Sequence, residues 1–148
     1  IIFAKILSQI LLLAIILVPT IIFIYSIGTL SSPTFNIDFG IIFSAYLSLL
    51  LLIIVFVCLS ALASSMANKQ ALSFVLGVFL NFVFWQGPQE MSKIFNFDFT
   101  FQSLNYHFQN ISRGVLDFSS VGFYLGLILM IIGLIILRFR WNYLKSKI

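Results

Sequence analysis

Charge is what this sequence has least of. Asp, Glu, Lys and Arg make up only 8% of its 148 residues, against about 25% in a chain whose surface meets water on every side. Eight basic and four acidic side chains cannot cover a soluble domain of this length. That excludes a cytosolic enzyme, a nucleic-acid-binding module and a disordered tail. Cysteine and histidine occur once each. A lone Cys58 forms no intrachain disulfide, and within an apolar run it reads as a small buried apolar residue. There is no glycine-rich phosphate loop, no paired carboxylates and no nucleophile–base constellation, so the chain by itself is read as neither an ATPase nor a hydrolase. The apolar runs hold no Asp, Glu, His or Lys, the groups that proton-coupled transporters and intramembrane proteases keep at mid-membrane.

What is present is apolar: 61% of the chain is hydrophobic and the mean hydropathy is +1.16. Charge interrupts it at few points, leaving uncharged runs at 6–37, 39–68, 70–89 and 118–137. Each is at least as long as the ~20 residues a helix needs to cross a hydrocarbon core ~30 Å thick. The alternating pattern of barrel strands is missing. The expected fold is therefore an all-α membrane protein with four transmembrane helices at 6–30, 40–62, 71–85 and 121–137. An outer segment at 86–120 separates the last two, and a basic tail covers 138–148.

The net charge of +4 resides in single residues at the edges of these runs, not in a nucleic-acid-binding patch. Four crossings put Lys5, Lys69, Arg138, Arg140, Lys145 and Lys147 on one side. The other side holds Lys93 and Arg113 with Asp38, Glu90, Asp98 and Asp117. Because basic residues stay cytoplasmic, both ends are expected inside. The apolar stretch after Lys5 is too long for a signal-peptide core and lacks an Ala-x-Ala site, so it reads as a membrane helix. With Ile at position 1 and the first methionine at Met66, the chain reads as a fragment or a processed product.

The third span is the shortest. Gly87-Pro88 is expected to stop it after ~27 Å, since proline cannot continue a helix and restricts the residue before it. The outer segment is too long for a structureless connection. Its first part, FNFDFTF at 95–101, places Phe at every second position, opposite Asn96, Asp98 and Thr100. This reads as an aromatic segment resting at headgroup level, the alternative being a ligand-stacking surface. Farther on, Leu104, Phe108, Ile111 and Val115 form one stripe of an amphipathic helix. Asn105, Gln109, Arg113 and Asp117 form another, on which Arg113 and Asp117 are spaced to pair. Gly114 is a plausible break. His107, beside Tyr106, is either a proton or metal site or a hydrogen-bonding residue. Without a second His, a nearby Cys or an acidic cluster, the hydrogen-bonding role is favoured. Within the spans, Gly122-x-x-x-Gly126 with Gly133 offers a face for close helix packing, and Asn81 an interhelical hydrogen bond. Pro19 is expected to kink the first span near Ile15.

NYHFQNISRGVLD, at 105–117, resembles the signature of permease subunits of gliding-motility-associated ABC transporters, which belong to the type-2 ABC exporter superfamily. LVPTIIFIYSIGTL at 17–30, with NID at 36–38, resembles that family's third span and first outer loop. ASSMANKQALSFVLGVFLNFVFW at 63–85 resembles its hairpin of spans four and five. The resemblance implies a six-span fold with an outer re-entrant helical pair between spans five and six. The four helices here would be spans three to six, and the coupling helix would lie upstream. It further implies a bacterial inner-membrane exporter, a separate ABC ATPase subunit that binds the ATP, no cofactor in this chain, and a second permease subunit, identical or different. A non-transporting scaffold of an envelope machine is the rival reading. A membrane-embedded enzyme is disfavoured by the lack of acid–base groups in the spans.

Overall fold

Hydrocarbon offers no hydrogen bonds, so an apolar chain in it must satisfy each N–H and C=O within its own helix. The computed structural model, which describes residues 2–31, 38–67, 69–95, 98, 100–114 and 117–145, shows helix through almost all of that length and no strand among the described residues. The helices are α1 (Ile2–Leu30), α2 (Phe39–Met66), α3 (Gln70–Phe95), α4 (Leu104–Ser112) and α5 (Phe118–Lys145), with a 3₁₀ turn at Thr100–Gln102 before α4. Four of them are long and apolar enough to cross a membrane: Ala4–Leu30, Phe39–Met66, Gln70–Phe95 and Phe118–Trp141. The chain is a multi-pass membrane protein.

Several boundaries differ from the sequence-based expectation. The third helix does not stop at Gly87-Pro88 but continues to Phe95, which gives it 26 residues and a length of ~39 Å. Proline removes one backbone hydrogen bond. Unwinding the chain there would leave several groups unbonded, so continuing is the smaller loss. Polar side chains support the added turns: Ser92 Oγ donates to the Gln89 carbonyl at 2.7 Å and Lys93 meets Glu90 at 2.7 Å. The last helix takes Arg138 and Arg140 into its body, so much of the expected tail is helical. α1 runs without interruption past Pro19, which lies on its exposed face. Val115 of the apolar stripe, Leu116, Asn96, Phe97 and Phe99 of the aromatic segment, Asn36, Ile37, Asn68 and Lys147 lie outside the described residues.

α2 is the hub. It packs against α1, α3, α4 and α5, whereas α1 meets only α2, and α3 and α5 have no close backbone contact among the described residues. The core follows this plan, with Val55, Cys58 and Leu59 of α2 buried together with Leu104, Ile111, Tyr124, Ile131 and Ile135. Large apolar side chains otherwise point outward, among them Leu11, Ile15, Ile22 and Phe23 of α1 and Phe74, Phe79 and Phe82 of α3. The chain exposes 10611 Å², against about 7,700 Å² for a soluble monomer of its mass. That surplus suits lipid.

α2 and α3 approach closely at a glycine outside the Gly-x-x-x-Gly motif. Gly77 is the buried residue of α3, and a Cβ there would lie 3.8 Å from Ala63 Cβ and 3.9 Å from Ser60 Cα of α2. A methyl group fits at that distance and a larger side chain does not. We predict that Gly77→Ala keeps or raises thermal stability, by up to ~1 kcal/mol from helix propensity. Gly77→Leu should force α2 and α3 apart and lower stability by roughly 1–3 kcal/mol. Thermal unfolding in detergent, followed by circular dichroism, measures both.

Candidate functional site

The segment before α5 turns back alongside α2, α3 and α5, and its local sequence explains why. Ser103 caps α4, its Oγ accepting from the Tyr106 N–H at 3.0 Å, which satisfies a donor that the helix cannot. Leu104, His107 and Ile111 then fall on one face and are all buried. α4 ends at Arg113 and Gly114. Gly114 has φ +91°, and a Cβ on it would come within 3.3 Å of Ile41 in the first turn of α2. Backbone conformation and space both require glycine there.

α4 is held at a definite depth. Ser48 Oγ of α2 donates to the Phe108 carbonyl at 3.2 Å, and Tyr124 Oη of α5 donates to the Leu104 carbonyl at 3.2 Å. On the α3 side, Asn105 Nδ2 donates to Gln89 Oε1 at 3.2 Å, and Gln109 Nε2 donates to Asn105 Oδ1 at 3.1 Å. Trp85 completes the wall, edge-on to Phe56 at 6.0 Å and to Phe108 at 5.7 Å between ring centres. Ser48 sits nine residues into α2, ~14 Å along its axis. α4 therefore lies between the long helices, below their ends.

His107 is the centre of this arrangement and is only 4% exposed. Its Nε2 lies 2.8 Å from the Phe101 carbonyl, and its Nδ1 lies 3.0 Å from Ser120 Oγ. A carbonyl only accepts, so Nε2 carries the proton. Nδ1 then accepts from the Ser120 hydroxyl, and one neutral tautomer satisfies every group. The ring stacks on Phe123 at 4.2 Å and meets Tyr106 and Tyr124 edge-on. Burial lowers its pKa from 6.5, opposed by the Phe101 hydrogen bond and the Asp117 carboxylate. Among the described residues no three His, Cys, Asp or Glu side chains gather to hold a metal ion. His107, bonded at both ring nitrogens, latches α4 to the 3₁₀ turn and to α5.

The spacing of Arg113 and Asp117 does not produce an ion pair. The helix ends between them, and Asp117 instead caps α5, its Oδ1 accepting from the Ser119 N–H at 3.1 Å. Asn81 Nδ2 of α3 donates to Ser60 Oγ of α2 at 3.1 Å, while its Oδ1 is buried without a partner. A Cβ on Gly122, Gly126 or Gly133 would meet nothing within 4 Å. Among the described residues, no helix packs directly on that face. Gly122 and Gly126, with Phe84, Gly87, Pro88 and Phe123, line an apolar cleft of about 480 Å³ between α3 and α5, beside the histidine latch. No family model, curated protein or solved structure matches this chain.

The latch predicts a pH dependence whose sign follows from the neutral histidine. A buried imidazole held below its unfolded pKa binds fewer protons folded than unfolded, so its stabilisation is complete above about pH 6.5 and declines as pH falls toward the folded pKa. Among the described residues, Asp117 is the carboxylate that acts on the ring. Amide exchange of α4 should accelerate from pH 7 to pH 5 relative to α2. His107→Leu should remove this acid-dependent part and, by leaving the Phe101 carbonyl and Ser120 hydroxyl unpaired, cost roughly 1–3 kcal/mol at pH 7. Hydrogen-exchange mass spectrometry at matched intrinsic rates provides the check.

Proposed function

We propose that the chain is the membrane-spanning permease subunit of a bacterial export system of the ABC-2 type, driven by a separate ATPase. The observation that carries this reading is the hairpin of α3 and α4. A short helix folds back between the long ones, at the point in the chain where that family's outer re-entrant pair would fall. The hairpin stands beside an apolar cleft between α3 and α5. On this reading the four long helices are spans three to six, and the cleft contributes to a translocation path. A second permease subunit faces Gly122 and Gly126. The chain hydrolyses nothing itself. The link to gliding motility rests on the resemblance of the 105–117 segment alone.

Orientation belongs to the same proposal. Four crossings leave both ends on one face, and Lys5, Lys69, Arg138 and Arg140 assign that face to the cytoplasm of the inner membrane. In a Cys58→Ser background, Lys69→Cys should resist an impermeant thiol reagent in intact cells, and Asp98→Cys should react. The functional test is affinity capture of the tagged chain from its own membranes, followed by reconstitution. Capture of an ATPase whose turnover changes several-fold with the chain present supports the permease reading. A stable envelope complex with no ATPase supports the scaffold.

A further inference from the structure

The opposite end of the bundle, away from the histidine latch, carries chemistry that neither the latch nor the cleft uses. There the first turn of α1, the last turns of α2 and the end of α5 enclose a cavity of about 200 Å³, lined by Lys5, Gln9, Ser60, Ser64, Ser65 and Phe139. Ile6 and Ala61 also line it, yet its wall is more polar than that of the cleft between α3 and α5. The side chains of Lys5, Gln9 and Ser64 find no hydrogen-bond partner among the described residues. No acidic residue stands at this end, whereas Lys69, Arg138 and Arg140 do. Ser60 and Ser65 give their hydroxyl protons to the Phe56 and Leu62 carbonyls of α2. The Lys5 ammonium, the Gln9 amide and the Ser64 hydroxyl remain, with no carboxylate beside them, as a donor set for phosphate oxygens.

The cavity does not close on itself. Gln9 and Ser60 also line a second hollow of about 360 Å³, whose remaining walls are Leu12, Leu13, Phe56 and Val57. It runs along the groove between α1 and α2 toward the middle of the bundle. A polar pocket at the level of the helix ends, continuous with an apolar groove pointing inward, has the shape of one amphiphile. A free anion has nothing to place in the groove. A zwitterionic headgroup brings an amine that finds no carboxylate here. We propose that this end of the bundle is a binding site for one anionic glycerophospholipid, its phosphate held by Lys5, Gln9 and Ser64 and one acyl chain lying between α1 and α2.

The site also accounts for α1, which among the described residues meets only α2 and has a single buried side chain, Ile6. A lipid wedged along the α1–α2 seam ties that helix to the bundle. This inference is independent of the proposed function, since it uses neither the hairpin nor the cleft.

The experiment is native mass spectrometry of the full chain released from detergent. It is titrated with phosphatidylglycerol, with phosphatidylcholine of the same acyl chains, and with inorganic phosphate. One phosphatidylglycerol should be retained in preference to phosphatidylcholine. Lys5→Gln should weaken it about fivefold, the weight of one lysine beside an anionic headgroup. Lys5→Arg should keep it. Ser64→Leu, which fills the pocket while leaving the charge, should abolish the preference with helix content unchanged by circular dichroism. Lys69→Gln, at the same end but outside the cavity, should change nothing. Several results would overturn the proposal: equal retention of the two lipids, an unchanged Ser64→Leu, or a Lys69→Gln that loses as much as Lys5→Gln. Inorganic phosphate that displaces the lipid, or protects the chain as well as the lipid does, would overturn the lipid assignment in favour of a free-anion site.

Discussion

A polar group left unbonded in hydrocarbon costs several kcal/mol, and most of this structure follows from avoiding that cost. The buried polar side chains among the described residues are Ser44, Ser48, Ser103, His107 and Ser120. Ser103 and His107 belong to the α4 segment, Ser48 and Ser120 bond to it, and Ser44 lies in the turn of α2 nearest Gly114. The arrangement inverts that of a soluble domain, with polarity gathered inside and apolar side chains facing out. His107 makes the inversion possible because its neutral ring donates on one side and accepts on the other. A lysine or a carboxylate in its place would leave a charge buried; a leucine would leave two partners empty.

The same constraint explains why α2 is the hub. A helix touching four others cannot be amphipathic in the usual sense, and α2 carries no distinct polar face. It carries small hydroxyl residues at intervals instead, Ser44 and Ser48 toward α4 and Ser60 toward α3. Each serine on α2 with a described bond donates to its own helix within a turn or to a carbonyl across the interface. These residues are small enough to allow close approach, and the hydroxyls of Ser44, Ser48 and Ser60 are all bonded. Gly77 against Ser60 and Ala63 applies the same rule from the α3 side. In an environment as apolar as leucine itself, packing and a few hydrogen bonds replace the hydrophobic effect as the force between helices.

Much of this was legible in the sequence. The four long helices were readable as runs without charge, because length and apolarity alone decide what can cross hydrocarbon. The inward stripe of Leu104, Phe108 and Ile111 was readable from its period, and a bonded His107 from the absence of any companion ligand. Three features were not. Gly87-Pro88 reads as a stop under rules drawn from helices in water, where freed backbone groups find solvent. Arg113 and Asp117 have helical spacing, but spacing cannot reveal that the helix ends between them and that Asp117 serves the next one. Gly77 stands alone in α3, and only its partners on α2, contiguous in space and distant in sequence, mark it as a contact.

The glycines that do form a motif raise the remaining question. Each glycine in a helix interior costs up to about 1 kcal/mol against alanine, and Gly77 recovers that loss by bringing two helices together. Gly122 and Gly126 recover nothing among the described residues, because open space lies where their side chains would be. Leucine at either position would stabilise α5 and narrow the cleft. A local rule broken without return inside the fold is usually answered by something outside it. Under the proposed function that answer is a second subunit or a cargo passing between α3 and α5, and either one needs the cleft wide and smooth. The latch and the glycines then have complementary parts: His107 fixes α4 against α5 at the mouth of the cleft, and below it the absent side chains keep the two walls apart.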